Sequence, residues 1–226
     1  MEPDIPDAPN TTDDFIFADL LGDTPGNAAD PLETKYRPFS GRPGQAGIHK
    51  RRAAKREMLR LRRREHLRDI LDAPPGPGET YHIIGNSHFF FFDFVPNLLD
   101  IVGRPAAEFY ASTWAMARPY ALEMVHLVET GRIRKIAVVT GIYFKSRETA
   151  TYSILLEGLR RVGGRYRAFM NHTKIFLLAW PEADLWIACE SSANFSDNPR
   201  MENYMLTNDR PLYDFHRAWI EDILKS

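Results

Sequence analysis

The sequence has a single cysteine, Cys189, in 226 residues. One cysteine cannot close an internal disulfide, so a reducing compartment is expected. Cysteine-based zinc patterns are excluded with it, and no HExxH occurs either. No metal site and no cofactor are expected. Long hydrophobic runs are also missing. HFFFFDFVPNLL (His88–Leu99) is too short to span a bilayer and is interrupted by Asp93, Pro96 and Asn97. The opening MEPDIPDAPN is acidic and proline-rich, unlike a secretory leader. A cytoplasmic protein without a membrane partner is the expectation. Basic residues are absent only locally: Met1 to Thr34 contains no Lys or Arg. The net charge of −1 therefore conceals a segregated chain. From Lys35 to Asp72 basic residues greatly outnumber acidic ones, the pattern of a tail followed by an interaction segment.

What is present divides into four stretches. Residues 1–46 are rich in Asp, Pro, Gly, Asn and Thr and cannot bury enough apolar surface to offset ordering, so they read as a disordered acidic tail. Its apolar island DFIFADLL (Asp14–Leu21) is either a docking helix for a partner or a transient, unattached one. Residues 47–72 hold IHKRRAAKREMLRLRRREHLRDIL, which lacks Pro and Gly and predicts a basic helix. Met58, Leu61, Leu67, Ile70 and Leu71 form a thin apolar stripe on it. Lys50, Arg51, Arg52, Lys55, Arg56, Arg60, Arg62, Arg63 and Arg64 are its candidate nucleic-acid contacts, acting by phosphate neutralisation. An anionic membrane surface and a merely solvated helix are the other readings; the first needs a broader apolar face with Trp or Phe. Residues 73–79, APPGPGE, break the helix as a hinge.

From residue 80 to 226 strands and helices alternate, which predicts an α/β domain with a mixed sheet and helices on both faces. YHIIG, EFYASTWAM, KIAVVTGI, RYRAFM, HTKIFLLAW, DLWIACESS and ENYMLT read as strands. Helices are expected over Asp93–Gly103, Arg118–Gly131 and Ser146–Gly164, the last with Ser146 as N-cap, and LYDFHRAWIEDILKS closes the chain as an amphipathic helix. The PEAD turn (Pro181–Asp184) makes a hairpin of its flanking strands. The FFFF run (Phe89–Phe92) reads as core or as a protomer interface.

The chemistry gathers in two of these strands. Residues i and i+2 share a strand face, so His172 and Lys174 point the same way, and so do Ser192 and Asn194 if their segment stays extended. Glu202 opens the following strand. An imidazole, an ammonium, a hydroxyl, an amide and a carboxylate together suit a phosphate group. Lys174 supplies a point charge, Ser192 and Asn194 supply donors, and His172 can attack phosphorus or move a proton. A carboxylate beside the imidazole would fix its tautomer. Ser112, Thr113 and Thr140 lie near strand ends and can line such a pocket or simply cap.

His172-x-Lys174, Ser192-x-Asn194 and Glu202-Asn203, in that order, resemble the HxK…GSxN…E signature of the phospholipase D superfamily. Small single-motif nuclease-like members, including phage and bacterial ones, are the nearest in flavour. The resemblance implies a phospholipase D-like domain and a metal-independent phosphodiesterase. It implies that His172 attacks phosphorus to form a phosphohistidine, while Lys174, Ser192 and Asn194 hold the phosphate. A second His from a second motif protonates the leaving oxygen. Only one motif exists here, so a homodimer is implied, bringing two copies of His172 together. Two residues depart from the pattern: Ala179 stands where the family has Asp, and Ser191 where it has Gly. The expected substrate is nucleic acid, DNA ahead of RNA. A non-catalytic nucleic-acid-binding protein on a degenerate domain is one rival, and a lipid phosphodiesterase is another.

Overall fold

The computed structural model describes residues 62–197 and 200–226. The expected tail over 1–46 and the basic helix up to residue 61 lie outside the described residues, and Lys50, Arg51, Arg52, Lys55, Arg56 and Arg60 lie there with them.

Runs rich in β-branched and aromatic residues form the strands. They are β1 (Thr80–Asn86), β2 (Glu108–Thr113), β3 (Ile136–Gly141), β4 (Arg165–Phe169), β5 (Ile175–Trp180), β6 (Leu185–Ser191) and β7 (Met201–Asn208). All seven join one mixed sheet in the order β1-β7-β6-β5-β2-β3-β4. β2, β3 and β4 run parallel. Parallel neighbours need crossovers, which helices α3 (Arg118–Glu129), α4 (Phe144–Arg147) and α5 (Thr149–Arg161) supply. β5, β6 and β7 then form an antiparallel meander, and β1 pairs antiparallel with β7. β3 is buried along its whole length, as a strand covered on both faces should be.

Two cores flank the sheet. The larger holds Phe91, Phe92 and Phe94, with residues from α2 (Phe94–Val102), α3 and α5. Phe91 stacks on Phe195 at 4.7 Å between ring centroids, so the FFFF run belongs to the core. The smaller core lies under α6 (Arg210–Lys225), where Tyr213 and Ile220 meet Leu177, Ala179 and Ala188. The mixed α/β sheet with helices on both faces is as the sequence predicts.

Residues 62–70 are helical and are called α1. Leu67 and Leu71 are 0% and 1% exposed and join the larger core. Arg68 pairs with Asp100, which also receives Arg132 at 2.5 Å. The Pro/Gly segment expected as a hinge is tied to the end of β7: Gly78 N donates to Asn208 O at 2.7 Å, and Asn208 Nδ2 donates to Pro75 O at 3.1 Å.

Three local expectations change. Ser146 is not an N-cap: it lies inside the short α4, where its hydroxyl donates to Tyr143 O at 3.0 Å. The strand expected to continue to Met116 ends at Thr113, and Met116 makes a separate bridge to Phe195. His172 and Lys174 precede β5 rather than lying in it, because the segment turns at Asn171.

Candidate active site

In this topology one end of the sheet gathers the chain's polar loops. The C-terminal ends of β2, β3, β4, β6 and β1 meet the starts of β5 and β7 there. Crevices at the carboxyl ends of strands are where open α/β sheets bind ligands. Here the mouth is an open depression of about 450 Å³ lined by His172, Thr173, Lys174, Ile175, Glu190, Ser191 and Ser192.

The turn that presents His172 is held from below. The Asn171 Oδ1 accepts from Thr173 N at 3.0 Å and from the Thr173 hydroxyl at 2.7 Å. Its Nδ2 donates to Ser112 Oγ at 2.9 Å, and Ser112 and Thr173 share a hydrogen bond of 2.7 Å. Ser112 ends up fully buried as a scaffold for this turn. Asn171 therefore does for His172 what an Asx turn does for a loop.

Above that scaffold, Lys174 Nζ lies 3.1 Å from His172 Nδ1 and donates to His172 O at 2.9 Å. An ammonium can only donate, so Nδ1 is the acceptor and a neutral ring carries its proton on Nε2. Lys174 is half-buried. Burial pushes its pKa below the ordinary lysine value, and the Glu202 carboxylate acts against that shift.

The second half of the site comes from β6 and β7. Ser192 Oγ donates to Glu202 and accepts from Asn203 N at 3.1 Å. Ser191 N donates to Lys174 O at 2.9 Å, which ties this half to the first. The Ser191 hydroxyl donates to Asn203 O and accepts from Ala193 N, both at 2.9 Å. Asn194 Oδ1 accepts from Thr113 Oγ1 at 3.3 Å, fixing its amide at the end of β2. Thr140 is instead bonded to Tyr166 at 2.6 Å.

Glu190 carries a signal that the sequence reading passed over. It lines the depression, and its Oε1 is 3.1 Å from His216 Nε2 on α6, an ion-pair distance without good hydrogen-bond alignment. Trp219 Nε1 donates to His216 Nδ1 at 3.1 Å, which puts the ring proton on Nε2 facing Glu190. Burial lowers the His216 pKa, and Glu190 opposes that. His216 recurs on the buried stripe of an amphipathic helix with Tyr213 and Ile220, and that periodicity was the available clue.

Ala179, at the position of the expected Asp, is fully buried in the smaller core at the far end of β5, opposite Glu108. Of the candidate nucleic-acid contacts in α1, Arg62 is exposed. Arg63 pairs with Asp197 at 3.2 Å and lies 4.1 Å over the Phe90 ring. Arg64 pairs with Glu123. Among the described residues no cluster of His, Cys, Asp or Glu is arranged to hold a metal ion, and no helix is long and apolar enough to cross a membrane.

No protein-family model matches the chain, and no curated protein matches it. Among solved structures it is similar to polyphosphate kinase from Porphyromonas gingivalis, with 18% identity and a TM-score of 0.49 over 65% of this chain and 26% of the kinase. It thus spans about a quarter of that enzyme. It is also similar to Nuc, a phospholipase D family member from Salmonella typhimurium, with 12% identity and a TM-score of 0.46 over 64% of this chain and 94% of Nuc. NucT from Helicobacter pylori gives 13% identity and a TM-score of 0.46 over 66% of this chain and 98% of NucT. With identities of 12–18% and TM-scores below 0.5, these likenesses assign the chain neither a family nor an activity.

Proposed function

We propose that this protein is a phosphodiesterase acting on nucleic acid, with His172 as nucleophile. The observation that carries the reading is the juxtaposition of the His172–Lys174 pair with Ser192 around one open depression, the Ser192 hydroxyl being held by Glu202. A phosphate oxygen is a stronger acceptor than an imidazole nitrogen. When Lys174 turns to it, the ring proton can shift to Nδ1, leaving a lone pair on Nε2. Nε2 attacks phosphorus, a P–N bond forms, and the bond to the leaving oxygen breaks. Lys174, and the Ser192 hydroxyl once it turns from Glu202 to the phosphate, stabilise the charge that develops on the phosphoryl oxygens. The leaving oxygen takes its proton from His172 of a second copy in a homodimer. Water then attacks phosphorus, giving its proton back to the second-copy His172, and the P–N bond breaks to release the first imidazole. DNA is the preferred substrate in this reading, and a phage or mobile-element setting suits it.

The rival is a non-catalytic nucleic-acid-binding protein. It is favoured by Ala179 in place of the family's Asp and by Ser191 in place of its Gly, with the Ser191 hydroxyl bonded to Asn203 O. Cleavage of DNA, RNA and a chromogenic phosphodiester in EDTA separates the two. The expected outcome is metal-independent cleavage that falls at least about 1000-fold in His172→Ala and Lys174→Ala, as expected for loss of a nucleophile and of charge stabilisation. Equal nucleic-acid binding by wild type and variants, with no cleavage by either, establishes the rival. A sedimentation profile that stays monomeric while cleavage is full removes the dimer from the mechanism.

A further inference from the structure

Beside His172 runs a wall that the chemistry above does not use, with Trp114 half-buried and Tyr143 exposed. The Trp114 ring centroid lies 5.6 Å from that of His172. The guanidinium of Arg147 lies 5.7 Å from the Trp114 ring centroid and 5.9 Å from that of Tyr143. Trp114 is seated by the sheet itself: its carbonyl accepts from Gly141 N at 3.2 Å, and a Cβ on Gly141 would come within 2.6 Å of its Cδ1. Only glycine lets the indole lie there. Gly141 pairs in turn with Phe169 of β4. Around these rings, Ile142 is 50%, Tyr143 61%, Phe169 41% and Met170 84% exposed.

We propose that this wall is a stacking platform for an unpaired nucleobase flanking the scissile phosphate, which makes single-stranded nucleic acid the substrate class. The inference rests on the phosphodiesterase reading and deepens it. Three features favour a base over other occupants. Aromatic faces alternate with a cation, an arrangement that receives π-systems and suits a strand carrying negative charge. The wall begins within one ring contact of the phosphate-competent His172, so a nucleotide held there places its neighbour on the platform. A duplex keeps its bases stacked inside and offers this wall nothing flat, whereas a single strand can splay one base onto it.

The test measures binding in a His172→Ala background, which leaves the strands intact. The probes are a 12-nucleotide oligothymidylate, an abasic strand of equal length and charge, and a duplex of equal length. Oligothymidylate is expected to bind about 5- to 100-fold more tightly than the abasic strand, the range of one to two stacked bases. Tyr143→Ala and Trp114→Ala are expected to erase most of that difference while leaving abasic binding unchanged. Because Trp114 also packs on Gly141, the exposed Tyr143→Ala carries the test if Trp114→Ala does not fold. Equal binding of both strands, or tighter binding of the duplex, overturns the platform and leaves the phosphate site standing. A base preference that survives both variants also overturns it. Binding to none of the probes removes the phosphodiesterase reading and the platform together. If Tyr143→Ala turns a dimer into a monomer, the wall is a protomer interface and the inference falls.

Discussion

Asp93 has no solvent exposure, and only one of its carboxylate oxygens is well used. Oδ2 accepts from Phe90 N at 2.8 Å, while Oδ1 has no partner among the described residues. Burial pushes its pKa up to about 6, against that hydrogen bond and the charges of Arg64 and Arg63. A raised carboxylate pKa means the folded state holds a proton the unfolded chain has already lost. Stability from this group is therefore full below about pH 4 and declines as pH rises to about 6. Asp93→Asn should flatten that part of the pH–stability profile and gain roughly 1 to 3 kcal/mol at pH 7. Denaturant melts at pH 4.5 and 7 check it, and an unchanged slope in the variant removes Asp93 as the cause. At this scale the sequence showed the residues of the candidate site and hid their supports. His172, Lys174, Ser192 and Glu202 were legible because their spacing and order form a signature. Asn171 and Thr173 were not, and Ser112 read only as a lining or capping residue, because their bonds connect positions about sixty residues apart that only the sheet brings together.

Among the elements, α3 and α5 approach closely at Gly158. A Cβ on Gly158 would fall 2.5 Å from Val125 Cγ2, well inside contact distance, and Val125 is itself buried. Gly158→Ala should therefore destabilise by about 1 to 3 kcal/mol despite alanine's better helix propensity, since overpacking outweighs propensity here. Adding Val125→Ala should recover part of the loss. Additive losses in the double variant would show that the two residues do not compete for this space. Helix α1 teaches a related lesson. Its apolar stripe was readable, and Leu67 and Leu71 do enter the core. Its arginines read only as charge, because their carboxylate partners Asp197, Glu123 and Asp100 lie on the loops and helices of the body. Cutting the chain after Asp72 would strip two leucines from the core as well as remove charge. A test of the basic segment therefore needs a charge change such as Arg62→Glu, which leaves both leucines in place.

At the scale of the whole molecule, the sheet joins strands far apart in sequence. Among the described residues β1 is the first strand and has a single neighbour in the sheet, the last strand β7. Gly78 and Glu79, just before β1, also bond to Asn208 at the end of β7. The alternation of strands and helices made the α/β class legible, since each segment carries its own periodicity. Which strand lies at which edge is a long-range property, and no local pattern encodes it. The consequence lies in time rather than space. As the chain leaves the ribosome, β1 must wait unpaired through the synthesis of every other strand, and Glu202 arrives only with its partner. Strand edges that wait are exposed to wrong partners, and contacts this distant in sequence form slowly. In pulse-labelled hydrogen exchange during refolding, the β1 amides should gain protection together with those of β7 and after those of β2 and β3. Early, independent protection of β1 would contradict this order. The candidate site would then be among the last parts of the protein to exist, closed in the same step that seals the sheet.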